Sequence, residues 1–478
     1  MKSFRKKWDC PHYGRSRRWG LSPFILAFSL IAGCAGKNFY AKINAESAGG
    51  RYESALKDIE TNRKEYYPSK DTLLYFLDSG MLSHLAGKYK ESNEAFEKAK
   101  MLSEQLYTKS LSAEGASLLI NDSQKAYDGE DYEIAMIYLI KALNYAAMGE
   151  ENSAMVEIRQ LDHFFKTISV NGGSAGDEEI RPGALYFSAI VRESAGDSNG
   201  ALIDYKNAIS AFEKKGTTPP RGLIKGCYAA AVNMGFRDEA DRLKKNYDLK
   251  QNETERGSRE EIIIVHINGP APVKTGRTIE VSFGDGWAYA QSIQTSGDDQ
   301  KKFAAANAAA RGFASKKTFS VSFPEYTQPP YSCAYLNVES EGKKFATEKI
   351  SDITSAAVKS LKDRINRIRA KSIARAWIKH VLAREAEKSA EKSSGKTMGM
   401  LVGGGLRALS AATEQADIRS WRTLGAEIAI CRIPAEEGTF NLHLAMKNSA
   451  GSDLGEKILG GVQVQKNKKT FLSVRTFI

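Results

Sequence analysis

The spacing of hydrophobic positions changes near the middle of the chain. Up to about residue 245, apolar residues recur every three or four positions, which predicts amphipathic helices. After residue 260, short β-branched and aromatic runs such as EIIIVHI, RTIEVSF and TFNLHLAM alternate with Gly, Pro and Asn, which predicts strands. The pattern divides the chain into an α-helical half at 34–245, a polar linker at 246–260 and a β-rich half at 261–478.

A short repeat runs through the helical half. A glycine followed five residues later by a small residue occurs five times, at Gly50, Gly87, Gly149, Gly196 and Gly235. The glycine permits a tight turn between two helices, and the small residue lets the second helix approach the first. The segment GRYESA and its relatives resemble the tetratricopeptide repeat (TPR), which implies stacked helical hairpins whose curved surface binds peptides or proteins. A plain helical bundle is the alternative.

Three tyrosines share roughly one helix face. Tyr132, Tyr138 and Tyr145 lie six and seven positions apart in the segment from 121 to 162. Such a stripe is either core packing or a row of anchors lining the groove, because tyrosine is favoured at contact sites. These three residues are therefore candidate partner-binding residues.

The β-rich half predicts an antiparallel sandwich-like domain with helical insertions at about 301–315, 351–393 and 404–414. The fold class is multidomain α + β. The long second insertion is a basic amphipathic helix, with Arg364, Arg375 and Arg384 beside Ile373 and Trp377. Its basic face is either solvated, or docked on a partner, or laid on an anionic membrane surface.

The N-terminus has the pattern of a secretory leader. Basic residues precede an apolar run of 11 residues from Leu21 to Ile31, which is shorter than the roughly 20 residues that span a bilayer. The sequence Ile-Ala-Gly-Cys at 31–34 resembles the lipobox of bacterial lipoproteins. The resemblance implies cleavage after Gly33 and acylation of Cys34, for example with palmitate. Ala35 in place of aspartate implies, by the same resemblance, transfer to the outer membrane. We expect the protein on the periplasmic face, although Ala35 itself does not distinguish this face from the cell surface.

Charge and residue content exclude several function classes. Without residues 1–33 the chain keeps 62 basic and 56 acidic residues, a formal charge of +6 instead of +12, which does not indicate nucleic-acid binding. We expect no cofactor and no metal site, since the histidines are scattered and no Gly-x-Ser-x-Gly or Cys-x-x-Cys motif occurs. Cys333 and Cys431 fall in predicted strands, where they form either a disulfide or two isolated thiols.

Several segments resemble an uncharacterised family of bacterial outer-membrane lipoproteins with TPR-like repeats and a β-rich C-terminal half. They are GEDYE at 129–133, KALNYAAMG at 141–149, NGPAPVK at 268–274, ADIRSWRTLGAEI at 416–428 and KTFLSVRTF at 469–477. The segment ADIRSWRTLGAEI carries Asp417, Arg419, Trp421 and Arg422. Its arginines and tryptophan are residue types that dominate interface hot spots. In the alternative interpretation, Asp417 pairs with an arginine and Trp421 caps the core.

The sequence thus predicts a non-enzymatic lipoprotein that acts as a membrane-tethered scaffold for envelope proteins. The lipid tether would raise its effective concentration near these partners. Two other classes stay open. One is a cell-wall-active enzyme that uses carboxylates of the β-rich half, and the other is a structural tether that binds lipid or wall polymer.

Overall fold

The computed structural model describes residues 39–112, 120–170, 176–253, 260–291, 301, 304, 306–307, 318–413 and 415–478. The leader, the lipobox with Gly33 and Cys34, and most of the predicted insertion at 301–315 lie outside these residues.

Consecutive antiparallel helices form the first half. They are α1 (39–48), α2 (Tyr52–Thr61), α3 (Arg63–Tyr66), α4 (Thr72–Leu85), α5 (Tyr89–Ser112), α6 (Asp131–Ala147), α7 (Glu151–Val170), α8 (Asp177–Ser194), α9 (Ser198–Lys214), α10 (Arg221–Asn233) and α11 (Arg237–Asn246). The five repeat glycines each stand between two helices with a positive φ of 71° to 80°. The predicted TPR-like array of helical hairpins is confirmed.

The strands of the second half are β1 (Glu261–Pro270), β2 (Val273–Ser282), β3 (Thr318–Thr327), β4 (Tyr335–Ser340), β5 (Lys343–Ala346), β6 (Glu348–Asp352), β7 (Gly425–Pro434), β8 (Gly438–Lys447), β9 (Asp453–Val464) and β10 (Lys469–Arg475). One sheet has the order β10-β1-β7-β6, a second has the order β5-β4-β8-β9, and β2 pairs with β3 in a separate ribbon. One correction concerns strand direction, because β1 and β10 run parallel, with Glu261 opposite Lys469. A parallel pair needs a long crossover, and here nearly the whole β-rich half supplies it.

The first sheet is covered on both faces. Ile262 and Ile264 of β1 pack with Leu442 and Leu444 of the second sheet, which makes the two sheets a sandwich. The alternate residues of β1 pack with the helices instead, together with Ile428, Ile430 and Phe471 of the neighbouring strands. Because successive strand residues point to opposite faces, the run EIIIVHI is apolar throughout. The helical array and the first sheet therefore share one hydrophobic core, and the two sheets share another.

Strands of the same chain pack against the inner helices of the array. Helices α4 and α6 contact β10, and α8 contacts β6. Gly183 of α8 allows the closest approach, since a Cβ there would lie 2.4 Å from the carbonyl oxygen of Ile350. The expectation that the array offers an open groove to a partner is wrong for the face formed by α4, α6 and α8. The first sheet packs against this face and buries its own apolar side chains there.

A long helical hairpin leaves this core. Helix α13 (Ile353–Ser394) has 42 residues, and its length is about 63 Å. Its middle packs Ile373, Trp377 and Val381 against Phe283 and Phe319, which belong to α12 (Phe283–Gln291) and β3. Helix α14 (Lys396–Thr413) then folds back along the end of α13. None of the described helices is both long enough and apolar enough to cross a membrane.

The basic residues of α13 are partly used inside the protein. Arg375 is buried and donates a hydrogen bond of 3.0 Å to the carbonyl oxygen of Ile120. Arg364 donates to Glu130 of the array. Part of the basic face of α13 therefore contacts the helical half of the same chain, and this part is not simply solvated.

We predict that Gly183→Ala weakens the contact between α8 and β6. A methyl group cannot fit against the backbone of Ile350, so overpacking should lower the free energy of unfolding by roughly 1–3 kcal/mol in urea denaturation. Gly405→Ala is the matched control, because its Cβ meets open space and alanine favours helix by about 1 kcal/mol. Equal stability of the two variants would contradict the described packing.

Candidate functional site

Segments that are distant in sequence meet at one place, which we call the seam: the contact between the N-terminal end of α6 and residues 415–424. GEDYE forms the start of α6 as a capping box, in which Glu130 and Glu133 accept each other's backbone N–H groups. Lys274 of NGPAPVK binds Glu130, with 2.5 Å between Nζ and Oε1. Trp421 of ADIRSWRTLGAEI binds Glu133 through its backbone N–H. The seam therefore joins three of the segments on which the family resemblance rests.

Glu133 is the centre of the seam and is fully buried. Its carboxylate accepts hydrogen bonds from the Tyr127 hydroxyl at 2.6 Å, the Glu130 N–H at 3.1 Å and the Trp421 N–H at 2.7 Å. Burial raises the pKa of Glu133, and the positive charge of Lys274 with these donors only partly opposes it. The carboxylate therefore serves as a hydrogen-bonding hub in the core.

A second buried carboxylate holds the next part of the same segment. Asp78 of α4 accepts from the hydroxyl of Thr423 at 2.8 Å and from its N–H at 3.3 Å. The hydroxyls of Tyr40 and Tyr67 donate to the other oxygen of Asp78 at 2.9 and 2.8 Å. Carboxylates of the array thus accept the backbone N–H groups of residues 421 and 423, in the turn that precedes β7.

Trp421 is a core residue rather than an exposed anchor. Only 1% of it is exposed, its ring packs edge-on against Phe96 at 5.6 Å, and its Nε1 donates to Thr423 at 2.9 Å. Arg419 is also satisfied internally, because it donates to both oxygens of Asp417 and to Asp71 at 2.7 to 2.9 Å. Burial alone would raise the pKa of Asp417, but Arg419 lowers it. The prediction that these residues contact a partner is corrected, since they join the two halves.

The remaining candidates are placed as follows. Tyr132 and Tyr138 are buried, and the Tyr132 hydroxyl lies 3.0 Å from that of Tyr326 on β3. Tyr145 is half-buried and packs against the core. The guanidinium of Arg422 lies 5.0 Å over the Tyr40 ring. The tyrosine stripe is core packing and not a row of exposed anchors, because Tyr132 contacts β3 and Tyr138 packs against Phe164 of the neighbouring helix α7.

A second ionic cluster joins the other end of the array to the sheet. Arg432 of β7 binds Glu261 at 2.5 Å, Glu193 at 3.0 Å and the Tyr205 hydroxyl at 2.7 Å. Lys469 of KTFLSVRTF binds Glu261 as well. Burial favours a raised pKa for Glu193, yet Arg432 and Lys469 lower it to about 2. Pairing of opposite charges therefore compensates for burying them.

Sequence reasoning missed Glu130, Glu133, Lys274, Asp78 and Arg432. Two signals pointed to the first three, because they stand inside GEDYE and NGPAPVK. Nothing in the sequence alone marks Asp78 or Arg432, since the contacts that tie each of them to the other half of the chain join residues more than 100 positions apart.

The cysteines Cys333 and Cys431 and the histidines His84 and His266 are buried in the protein. Cys333 and Cys431 are separate buried thiols, so the structure does not contain the suggested disulfide. Burial lowers the pKa of His84 to about 4 and that of His266 to about 3. Across the described ranges, no group of three His, Cys, Asp or Glu side chains is arranged to hold a metal ion.

Two exposed features stand out among the residues that the structure describes. A cleft of about 400 Å³ separates the polar face of the β2–β3 ribbon from residues 415–418, and its lining consists of Gly276, Thr278, Ser320, Ser322, Gln415, Ala416 and Ile418. The other is the outer face of α14, where Met398, Met400 and Leu401 are 47%, 55% and 66% exposed. The opposite face of α14 is closely packed, because a Cβ at Gly399 or Gly403 would collide with Glu391 or Glu387 of α13.

No family model and no curated protein matches the chain. Among solved structures, it is similar to a putative kinesin light chain with nearly identical TPR-like repeats from Podosopora anserina, with 14% identity over 46% of this chain and 96% of that one, at a TM-score of 0.30. It is also similar to PlcR of Bacillus thuringiensis, solved with the peptide PapR7 and DNA, with 14% identity over 45% of this chain and 71% of that one, at a TM-score of 0.27. At these TM-scores neither likeness bears on function.

We predict that Trp421→Ala destabilises the whole protein. Removing a fully buried indole from the seam should lower the free energy of unfolding by about 3–5 kcal/mol. Arg422→Ala is the neighbouring control and should cost less than about 1 kcal/mol, because its side chain is half exposed. Urea denaturation followed by circular dichroism measures both, and a small effect of Trp421→Ala would show that the seam does not hold the halves together.

We predict a loss of stability below neutral pH that depends on His266. Its pKa is lower in the folded protein than in the unfolded chain, so its contribution is complete above about pH 6.5 and falls as the pH drops toward 3. His266→Gln should flatten the decline between pH 6.5 and 4.5 in urea denaturation. His443→Gln, which removes an exposed histidine of β8, should keep the wild-type profile. An unchanged profile in His266→Gln would contradict the assignment.

Proposed function

We propose that this protein is a non-enzymatic scaffold of the bacterial cell envelope. In this proposal, lipid on Cys34 holds it at the outer membrane on the periplasmic side, where it binds another envelope protein. The lipobox-like sequence Ile-Ala-Gly-Cys supports the anchor. The helical array and the sandwich act as one rigid body, because they share a core and two ionic clusters.

The exposed face of α14 is the observation that carries the proposal. Met398, Met400 and Leu401 leave three large apolar side chains exposed within about one turn of α14, and exposed apolar surface of this kind marks interaction sites. Methionine adapts its shape to a partner surface. The glycines on the inner face lock α14 against α13, so the patch is presented on a supported helix. The partner surface therefore lies on the hairpin and not in the array groove.

The buried carboxylates support a structural role over a catalytic one. Glu133, Asp78 and Glu261 each accept hydrogen bonds from several donors of the same chain, and all three are buried. A general acid or base needs contact with substrate. These groups instead give the rigid body its internal connections.

The proposal is tested by a photo-crosslinking residue at position 401 in intact cells. We expect a discrete envelope protein to crosslink at 401 and not at Ser389, an exposed control position on α13. The crosslink should weaken in Cys34→Ala, because the unanchored protein loses its high local concentration. Equal background at both positions would overturn the scaffold proposal.

A second variant separates binding from folding. Leu401→Glu changes a side chain that is 66% exposed, so its free energy of unfolding should stay within about 0.5 kcal/mol of the wild type. The same variant should lose the crosslink formed from position 398. A crosslink that survives would show that the α14 face is not the contact surface.

A further inference from the structure

The short distance between the lipid anchor and the folded body limits which surface can face the membrane. Cys34 lies five positions before Phe39, the first described residue, which is already helical. Five residues span at most about 18 Å in any conformation. For comparison, α13 alone is about 63 Å long. The region around Phe39 must therefore lie next to the bilayer if Cys34 is acylated.

Aromatic rings surround Phe39. Its ring stacks on Tyr66 with centroids 3.9 Å apart and meets the edge of Tyr67 at 6.2 Å. Tyr67 contacts Tyr75 at 5.7 Å, and Tyr75 contacts Phe76 at 5.4 Å. The chain of rings thus continues from the first helix across α3 to the start of α4.

The rings divide into an inner and an outer group. Tyr40 and Tyr67 point inward, since their hydroxyls donate to the buried Asp78. Tyr66, Tyr75 and Phe76 are half-buried, since they pack against the core and keep part of each ring accessible. We call these three rings, with Arg63, the aromatic patch.

Arg63 lies over this patch. It is exposed, and its guanidinium carbon is 4.1 Å from the Tyr75 ring centre and 5.8 Å from that of Phe76. An arginine stacked on rings keeps its planar donors directed outward, where they match the geometry of phosphate. The neighbouring Lys64 and Glu65 are also exposed and opposite in charge, so the positive charge of this segment is that of Arg63.

We propose that the aromatic patch rests at headgroup level on the bilayer that holds Cys34, with Arg63 bound to lipid phosphate. Tyrosine rings prefer the membrane interface, because they combine an apolar body with a polar hydroxyl. The tether makes even a weak contact effective, since it keeps the patch within reach of the headgroups. This inference rests on the lipid anchor of the proposed function, and it adds an orientation in which α1 to α4 face the membrane.

The test uses the lipidated protein in vesicles of phosphatidylethanolamine and phosphatidylglycerol, with an environment-sensitive fluorophore at Lys64→Cys. The native thiols Cys227, Cys333 and Cys431 are buried, so the introduced cysteine is selectively labelled. Quenching lipids with a spin label on the headgroup report proximity. We expect quenching at position 64 to be several-fold stronger than at Glu437→Cys, an exposed control position between β7 and β8.

Arg63→Glu should reduce this quenching without releasing the protein from the vesicles. Arg277→Glu is the matched charge reversal, because Arg277 is exposed on the distant ribbon strand β2. It should leave the quenching at position 64 unchanged.

Vesicle flotation distinguishes a failure of the lipid anchor from a failure of the aromatic patch. If the lipidated protein floats with vesicles but positions 64 and 437 are quenched equally, the aromatic patch is overturned and the anchor stands. If it does not float, the anchor fails and the orientation fails with it. A fluorophore shift that occurs without vesicles would overturn the patch in favour of self-association.

Discussion

The structure depends on burying both faces of its first β-sheet. Strand β1 sends alternate side chains into two cores, one shared with the helices and the other with the second sheet. Each fully buried aliphatic side chain contributes about 1.5–3 kcal/mol, so neither layer can leave without exposing a large apolar surface. The helical array is therefore the cover of a sheet as much as a repeat structure in its own right.

This arrangement forces polar groups into the contact between helices and sheet. Glu133, Asp78 and Arg432 are removed from water, which is costly unless each finds partners. Each has them: the two carboxylates accept backbone N–H groups of the segment at 421–423, and the arginine lies between two glutamates. Since the carboxylates accept backbone N–H groups at fixed positions, they determine the register in which segment and array meet.

Local sequence pattern predicted the elements well and their contacts poorly. The turn glycines, the buried strand EIIIVHI and the long helix after residue 350 follow from spacing and residue type, because these depend on neighbours in the chain. Exposure of Trp421, an open groove and a Cys333–Cys431 bond did not follow. Those features depend on which surfaces meet across 98 to 345 residues. An arginine or tryptophan beside a strand looks the same in sequence whether it faces solvent or another layer. The interpretation of Asp417 and Trp421 as structural residues, which the sequence left open, is the one that the contacts support.

The parallel pairing of β1 with β10 has a consequence for biogenesis. Glu261 of β1 pairs with Lys469 of β10. The first sheet is therefore complete only after β10 has been synthesised. Contacts this distant in sequence form slowly, because a long loop must close first. During synthesis, the β-rich half would emerge with one edge of β1 and an apolar face uncovered. The helical hairpins contain local contacts and can fold earlier, and they would then shield that face until β10 is synthesised.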